Sequence, residues 1–220
     1  MTMSRSNFSI EMDYLHSEIV AMASRVEEDL RKAVQALRER DPELAKAVKA
    51  DDQKINAMQQ NIQYSAAVLL ATQQPVARDL RELVSAIRLA DNLERMGDYT
   101  VHLAKTAIKL RNSSWPMQFT MLAEMGEIGC KMLRSMTDAF ITQNVQAAME
   151  CAALDAQVDE LHHKLMALTL SNLKEDPTLA EEAIKLIRTS GFLERLADHI
   201  TNSCELVAYT VSGTQTELNS

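Results

Sequence analysis

Leu93-Glu94-Arg95-Met96-Gly97-Asp98 returns one hundred residues later as Leu193-Glu194-Arg195-Leu196-Ala197-Asp198, and Arg88 returns at the same offset as Arg188. Upstream of each copy lies a second matched element: Asp52-xx-Ile55-Asn56 pairs with Asp155-xx-Val158-Asp159 at an offset of 103. Two matched segments in the same order mark a duplicated unit. Carboxylates four residues apart, such as Glu94 and Asp98, share a face only on a helix, so the repeated unit reads as helical.

Composition agrees with that reading. The 220 residues include only 5 Gly, 4 Pro and 4% aromatics, whereas Ala, Leu, Met, Glu, Gln and Arg, which lose least side-chain freedom in a helix, are abundant. The prolines divide the chain. Asp41-Pro42 and Asp176-Pro177 each pair an N-cap residue with proline at the first helical position. Pro75 follows Gln73-Gln74, and Asn112-Ser-Ser-Trp-Pro116 is the one clustered breaker run. Six helices are expected at 8–39, 42–73, 76–111, 117–143, 145–174 and 177–211. Short connections make neighbours antiparallel. The expected architecture is all-α: two pseudo-repeated three-helix bundles of six long antiparallel helices, with 1–112 and 113–220 as the two units.

A net charge of −8 argues against nucleic acid as a partner, because a phosphate backbone would be repelled. No stretch approaches the roughly 20 apolar residues that cross a bilayer, and Met1-Thr-Met-Ser-Arg5 lacks the apolar core of a signal peptide. A cytoplasmic location is expected. Cys130, Cys151 and Cys204 show no CxxC spacing and read as small buried hydrophobes.

The hairpin register gathers the acidic residues. Antiparallel helices of equal rise place at one height residues whose numbers add to a constant. Asp52 with Asp98 and Asn56 with Glu94 both add to 150, centring on Pro75; Asp155 with Asp198 and Asp159 with Glu194 both add to 353, centring on the Asp176-Pro177 turn. Each repeat thus brings four oxygen-bearing side chains level on adjacent helices, the donor set that hard cations require. Asp91, Glu94, Asp98 and His102 form a stripe at i, i+3, i+7 and i+11, so the first repeat can add an imidazole. The second has Gly191 and Asn202 at the outer two of these positions, and the two sites are expected to differ. An ordinary solvated face opposite Leu93, Met96 and Leu103 produces the same stripe, so both readings stand.

Other motifs carry less. Glu160-Leu-His-His163 has the Glu-x-x-His spacing of di-iron bundles, but those need a second copy and none exists. There is no glycine-rich phosphate loop, nucleophile elbow or HExxH. His16, His162, His163 and His199 read as surface or satisfied side chains, and the 13 methionines as core filling.

Gln74-Pro75-Val76-Ala77-Arg78-Asp79-Leu80-Arg81, Asp91-Asn-Leu-Glu-Arg-Met-Gly-Asp98 and Leu193-Glu-Arg-Leu-Ala-Asp-His-Ile-Thr-Asn202 resemble the PhoU family over nearly the whole chain. The resemblance implies a pair of three-helix bundles that bind metal ions through duplicated E(D)xxxD motifs. Carried over position by position, it makes Glu94, Asp98, Glu194 and Asp198 the main ligands, with Asp52, Asp155 and Asp159 from the partner helices; Asn56 departs from the fully acidic form. It also implies a non-catalytic cytoplasmic regulator, located at the inner face of the membrane through its partners and often a homodimer. Its partners would be the ATPase subunit of a high-affinity phosphate ABC transporter and a phosphate sensor histidine kinase. The metal is left open among iron, zinc, manganese and magnesium. An acidic chain with no basic pocket evident is not expected to sense phosphate directly. A metal-dependent bundle enzyme and a metal-free scaffold are the competing readings.

Overall fold

The computed structural model describes residues 2–113, 115–214 and 217–218, with side chains from residue 7 onward. Ser114 of the breaker run and Met1 lie outside the described residues. Among the described residues all regular structure is helical: α1 (Thr2–Glu39), α2 (Pro42–Gln73), α3 (Arg78–Lys109), α4 (Pro116–Thr142), α5 (Val145–Ala152), α6 (Asp155–Glu175) and α7 (Ala180–Ser212), with a 3-10 turn over Pro177–Leu179. The expected six-segment layout holds, with four local differences, of which the first is that α1 begins at Thr2, six residues before the expected position 8.

The expected fifth helix breaks into α5 and α6. At Ala153 and Leu154 the bonding tightens to three-residue spacing, with the Leu154 amide on the Cys151 carbonyl and the Gln157 amide on the Leu154 carbonyl. Neither glycine nor proline marks this point, so local sequence carries no signal for it. Helix α3 begins two residues late because Gln74 and Ala77 both take positive φ, 48° and 50°, which turns the chain sharply about Pro75. Asp176 does act as a cap, accepting the Thr178 amide at 3.0 Å, but it caps the 3-10 turn, and α7 follows three residues later. Asp41 caps α2 as expected, accepting the Glu43 amide at 2.7 Å. Asn144 caps α5 through the Ala147 amide at 3.1 Å.

Packing follows from helical spacing. On α1, Leu15, Ile19, Met22, Val26, Leu30, Ala33 and Leu37 recur every three or four residues, and none is more than 1% exposed. That continuous stripe buries against α2, α3 and α4. Helices α1, α2 and α3 pack as one triplet, and α4, α5–α6 and α7 as the other. The triplets join through α1 on α4 and α3 on α7, and apolar side chains from both enter one buried cluster. Contacts across the α3/α7 seam exchange under the repeat: Asn92 Oδ1 lies 3.0 Å from His199 Nδ1, while the residues one hundred positions removed, Phe192 and Tyr99, stack at 5.9 Å. The seam therefore runs along an internal pseudo-twofold axis.

The α1/α2 contact holds one buried carboxyl. Asp29 is 1% exposed, its Oδ2 has no hydrogen-bond partner, and Lys32 lies 3.4 Å from its Oδ1. Neighbouring Asp51 is held by Arg25 at 2.5 Å and Lys54 at 2.6 Å. Burial and then the Asp51 charge outweigh Lys32 and push the Asp29 carboxyl up to about 6. The native state thus keeps a proton that the unfolded chain releases near the ordinary aspartate value of about 3.9. This group's stabilisation is present below about pH 4 and is lost as pH rises through about 6. In urea titrations Asp29→Asn is expected to flatten that slope and to raise stability at pH 7.5 by about 1–2 kcal/mol. An unchanged pH profile would place the native titration elsewhere.

Candidate metal centres

In the first repeat the α2/α3 contact sets the geometry. Gly97 lets α3 close on α2: a Cβ there would stand 3.3 Å from Ile55, whose side chain is 2% exposed. Asp52 and Asn56 flank Ile55, and Glu94 and Asp98 flank Gly97. Burial, then the Asp98 charge, raises the Asp52 carboxyl; burial, then Asp98, raises Glu94, with Asp52 and Asp91 adding to it. The Asp98 charge thus acts on both Asp52 and Glu94, which places the three carboxylates in one electrostatic neighbourhood. Asp91 lies at the edge, its Oδ1 accepting from Gln59 at 2.8 Å and Gln63 at 2.6 Å. Asn56 is half-buried on α2.

Arg95, which the sequence reading left out, bridges the motif carboxylates. Its Nε lies 3.6 Å from Glu94 Oε2 and its Nη1 3.3 Å from Asp98 Oδ2. A protein cation therefore already offsets the i, i+4 repulsion. Its repeat counterpart Arg195 lowers Glu194 and Asp198 in the same sense.

His102 points the other way. Its ring stacks on Phe192 of α7 at 4.5 Å, and burial, followed by the Lys105 charge, lowers its pKa. It lines a cavity with Lys105, Lys109, Lys185 and Arg188, so it stands between the acidic cluster and a basic one. Arg188 also lies over the Phe192 ring at 5.9 Å, whereas Arg88 is simply exposed. The expectation that the molecule has no basic pocket is thus corrected. Only its α3 half is visible in the sequence, where the stripe 91, 94, 98, 102 continues at helical spacing to Lys105 and Lys109 and its sign reverses.

The second repeat places Asp155 in the first turn of α6, directly after the helix break. Its Oδ2 accepts from Thr201 Oγ1 at 3.3 Å, while its Oδ1 is buried without a hydrogen-bond partner. Burial, then the Asp198, Asp159 and Glu194 charges, pushes its carboxyl up to about 6. Burial and the Asp159 charge raise Asp198, and burial with Asp198 and Asp159 raises Glu194. Asp155, Asp159 and Asp198 line an open groove of about 520 Å³. Leu218 reaches its rim, tied down by its amide on Glu205 Oε1 at 2.7 Å. Asn202 is half-buried one turn beyond Asp198.

Oxygen donors with suppressed ionisation and one orphaned buried carboxylate oxygen suit a hard cation, which would relieve both. The side chains do not form a closed cage: among the described residues no three His, Cys, Asp or Glu groups converge tightly enough to hold an ion. Ligation would need rotamer changes at the carboxylates, and in the first repeat displacement of Arg95. The Glu160–His163 pair is engaged elsewhere, Glu160 with Lys164 at 2.6 Å and His163 Nδ1 with the Asp159 carbonyl at 2.9 Å. The three cysteines are free thiols, Cys151 and Cys204 buried and Cys130 partly so.

Comparison with known proteins covers both triplets. The family model described as PhoU domain matches residues 19–107 and 122–207. A relative from Clostridium acetobutylicum, named phosphate-specific transport system accessory protein PhoU homolog, is 30% identical over 99% of this chain and 100% of its own length. One of the same name from Pseudomonas putida is 33% identical over 94% of this chain and 81% of its own. The crystal structure of PhoU from Pseudomonas aeruginosa superimposes with a TM-score of 0.90 at 33% identity, covering 94% of this chain and 100% of that one. The phosphate transport system regulatory protein PhoU from Streptococcus pneumoniae gives 0.87 at 30% identity, covering 96% and 99%.

Proposed function

Because this chain belongs to the PhoU family, we propose that it is a non-catalytic regulator of phosphate homeostasis. It restrains a high-affinity phosphate ABC transporter through the ATPase subunit and helps a sensor histidine kinase repress the phosphate-starvation response. The observation that carries the reading is the family match over both repeats, together with relatives named as accessory and regulatory proteins of phosphate transport. No described helix is long and apolar enough to cross a membrane, which suits action in the cytoplasm, at the inner membrane face only through partners. The reading takes 1–112 and 113–220 as two copies of one unit and the working form as a homodimer.

Metal ions at the two acidic clusters belong to the same proposal. Asp52, Glu94 and Asp98 would hold one, with Asp91 and His102 at its margin; Asp155, Asp159, Glu194 and Asp198 would hold the other, with Asn202 beside it. The metal is iron, zinc, manganese or magnesium, all of which accept such donors. A bound cation would neutralise the stripe and change the charge of the surface offered to a partner. Capture of the tagged chain from membranes of phosphate-replete and phosphate-starved cells tests the regulatory reading. The transporter ATPase and the kinase are expected to be retained preferentially from replete cells. Recovery of neither in either state would overturn it.

A further inference from the structure

The α3/α7 seam ends in two clefts that the repeat relates and that differ in character. One is a cavity of about 90 Å³ lined by His102, Lys105, Lys109, Lys185 and Arg188. Thr106 and Thr189 lie at its base with their hydroxyls 2.8 Å apart. Lys185 is paired with Glu181 at 2.5 Å, but Lys105, Lys109 and Arg188 make no ion pair with a carboxylate among the described residues. In a molecule of net charge −8, four permanent cations thus converge, three of them outside any ion pair, with the Asp52 charge acting on Lys105 from the neighbouring acidic cluster.

The opposite cleft shows that the fold does not require this charge. At the offset of one hundred, Lys105, Lys109 and Lys185 correspond to Glu205, Tyr209 and Ser85; Thr106 and Thr189 correspond to Leu206 and Leu89; only Arg188 keeps its type, as Arg88. Ser85, Leu89 and Leu206 line the matching cavity. That cavity is also lined by His16 and Glu82, so related positions carry clustered cations in one cleft and apolar groups with an acidic residue in the other. Like charges held together repel, and an anion of matching charge removes that cost.

We propose that the cleft of Lys105, Lys109, Lys185 and Arg188 binds a small multivalent phosphate anion. Arginine contributes a planar fork of donors and the lysines contribute compact point charges, the usual complement of a phosphate group. A singly charged anion would balance one cation and leave the others facing each other, which is why multivalency is part of the assignment. Such binding would give the chain direct access to a phosphate signal. It is separable from the regulatory reading, because it can be measured on the purified chain without any partner.

The test is calorimetric titration of the full chain with inorganic pyrophosphate at 150 mM salt, alongside Lys105→Gln/Arg188→Gln, the exposed single change Lys109→Gln, and Arg88→Gln at the counterpart position. Circular dichroism and thermal melts confirm that each variant is folded. Saturable one-to-one binding is expected, weakened about tenfold or more in the double variant, less in Lys109→Gln and unchanged in Arg88→Gln. No saturable binding, undiminished binding in the folded double variant, or equal loss in Arg88→Gln would each overturn the proposal. A vesicle arm separates the sources of phosphate chemistry. Sedimentation with vesicles containing a phosphorylated inositol headgroup, when free pyrophosphate does not bind, would overturn it in favour of a membrane-docking patch.

Discussion

Gly126→Val is expected to destabilise the protein by about 3 kcal/mol, which corresponds to a fall in melting temperature of roughly 6–12 °C for a chain of this size. A Cβ built on Gly126 would stand only 2.3 Å from Val34 Cγ2, where α4 crosses α1 and the two triplets join. Val34 cannot turn aside cheaply, because a β-branched side chain has one strongly preferred χ1 rotamer in a helix. Alanine at 126 tests the same contact more gently. It gains about 1 kcal/mol of helix propensity over glycine and still has to displace the Val34 methyl. Combining it with Val34→Ala opens the space that the new methyl needs. The double variant is expected to be more stable than the two single effects add up to, by about 1–3 kcal/mol. Additive single effects, read from urea unfolding at one pH, would show that α1 and α4 do not approach so closely.

Removing Glu194 and Asp198 together is expected to abolish metal binding at the second cluster, and removing Glu94 and Asp98 to abolish it at the first. Changes behind the ligands of a metal typically cost about 10–100-fold in affinity, so loss of two first-contact carboxylates should exceed about 100-fold. The clusters should not be equal. Asp155 has a buried oxygen with no partner and a carboxyl held up to about 6, so an ion there relieves a desolvation penalty. In the first cluster an ion must displace Arg95 from Glu94 and Asp98. The second site is therefore expected to be the tighter one. Its affinity should decline as pH falls below about 6, because Asp155 must lose its proton to bind. Calorimetry with manganese and zinc on wild type and both Ala doubles, from pH 5.5 to 7.5, checks the ranking and the slope together. Unchanged binding in both doubles would remove the metal sites and leave a metal-free scaffold.

Much of this was legible in the sequence because it rests on period and count. The register about Pro75 places Asp52 beside Asp98 without any knowledge of the fold, and the Asp98 charge does act on the Asp52 carboxyl. The Asp41 cap follows from a short side chain that accepts an amide proton. The rest depends mostly on contacts between elements remote in sequence. The break at Ala153–Leu154 has no breaker residue. The basic cleft forms only when Lys105 and Lys109 on α3 meet Lys185 and Arg188 on α7, and no single helix shows that meeting. Arg95 is the exception, a cation inside the motif whose spacing to Glu94 and Asp98 on one helix already allows the bridge.

Gly97 against Ile55 has a counterpart whose meaning lies in inheritance. In the second repeat the corresponding positions are Ala197 and Val158, both fully buried. One helix has gained a carbon and the other has given one up, so the summed bulk at the joint is conserved while neither residue is. At this joint the two halves match as pairs and not residue by residue. A graft that carries Ala into position 97 while leaving Ile55 in place would break a bargain that the chain has kept twice.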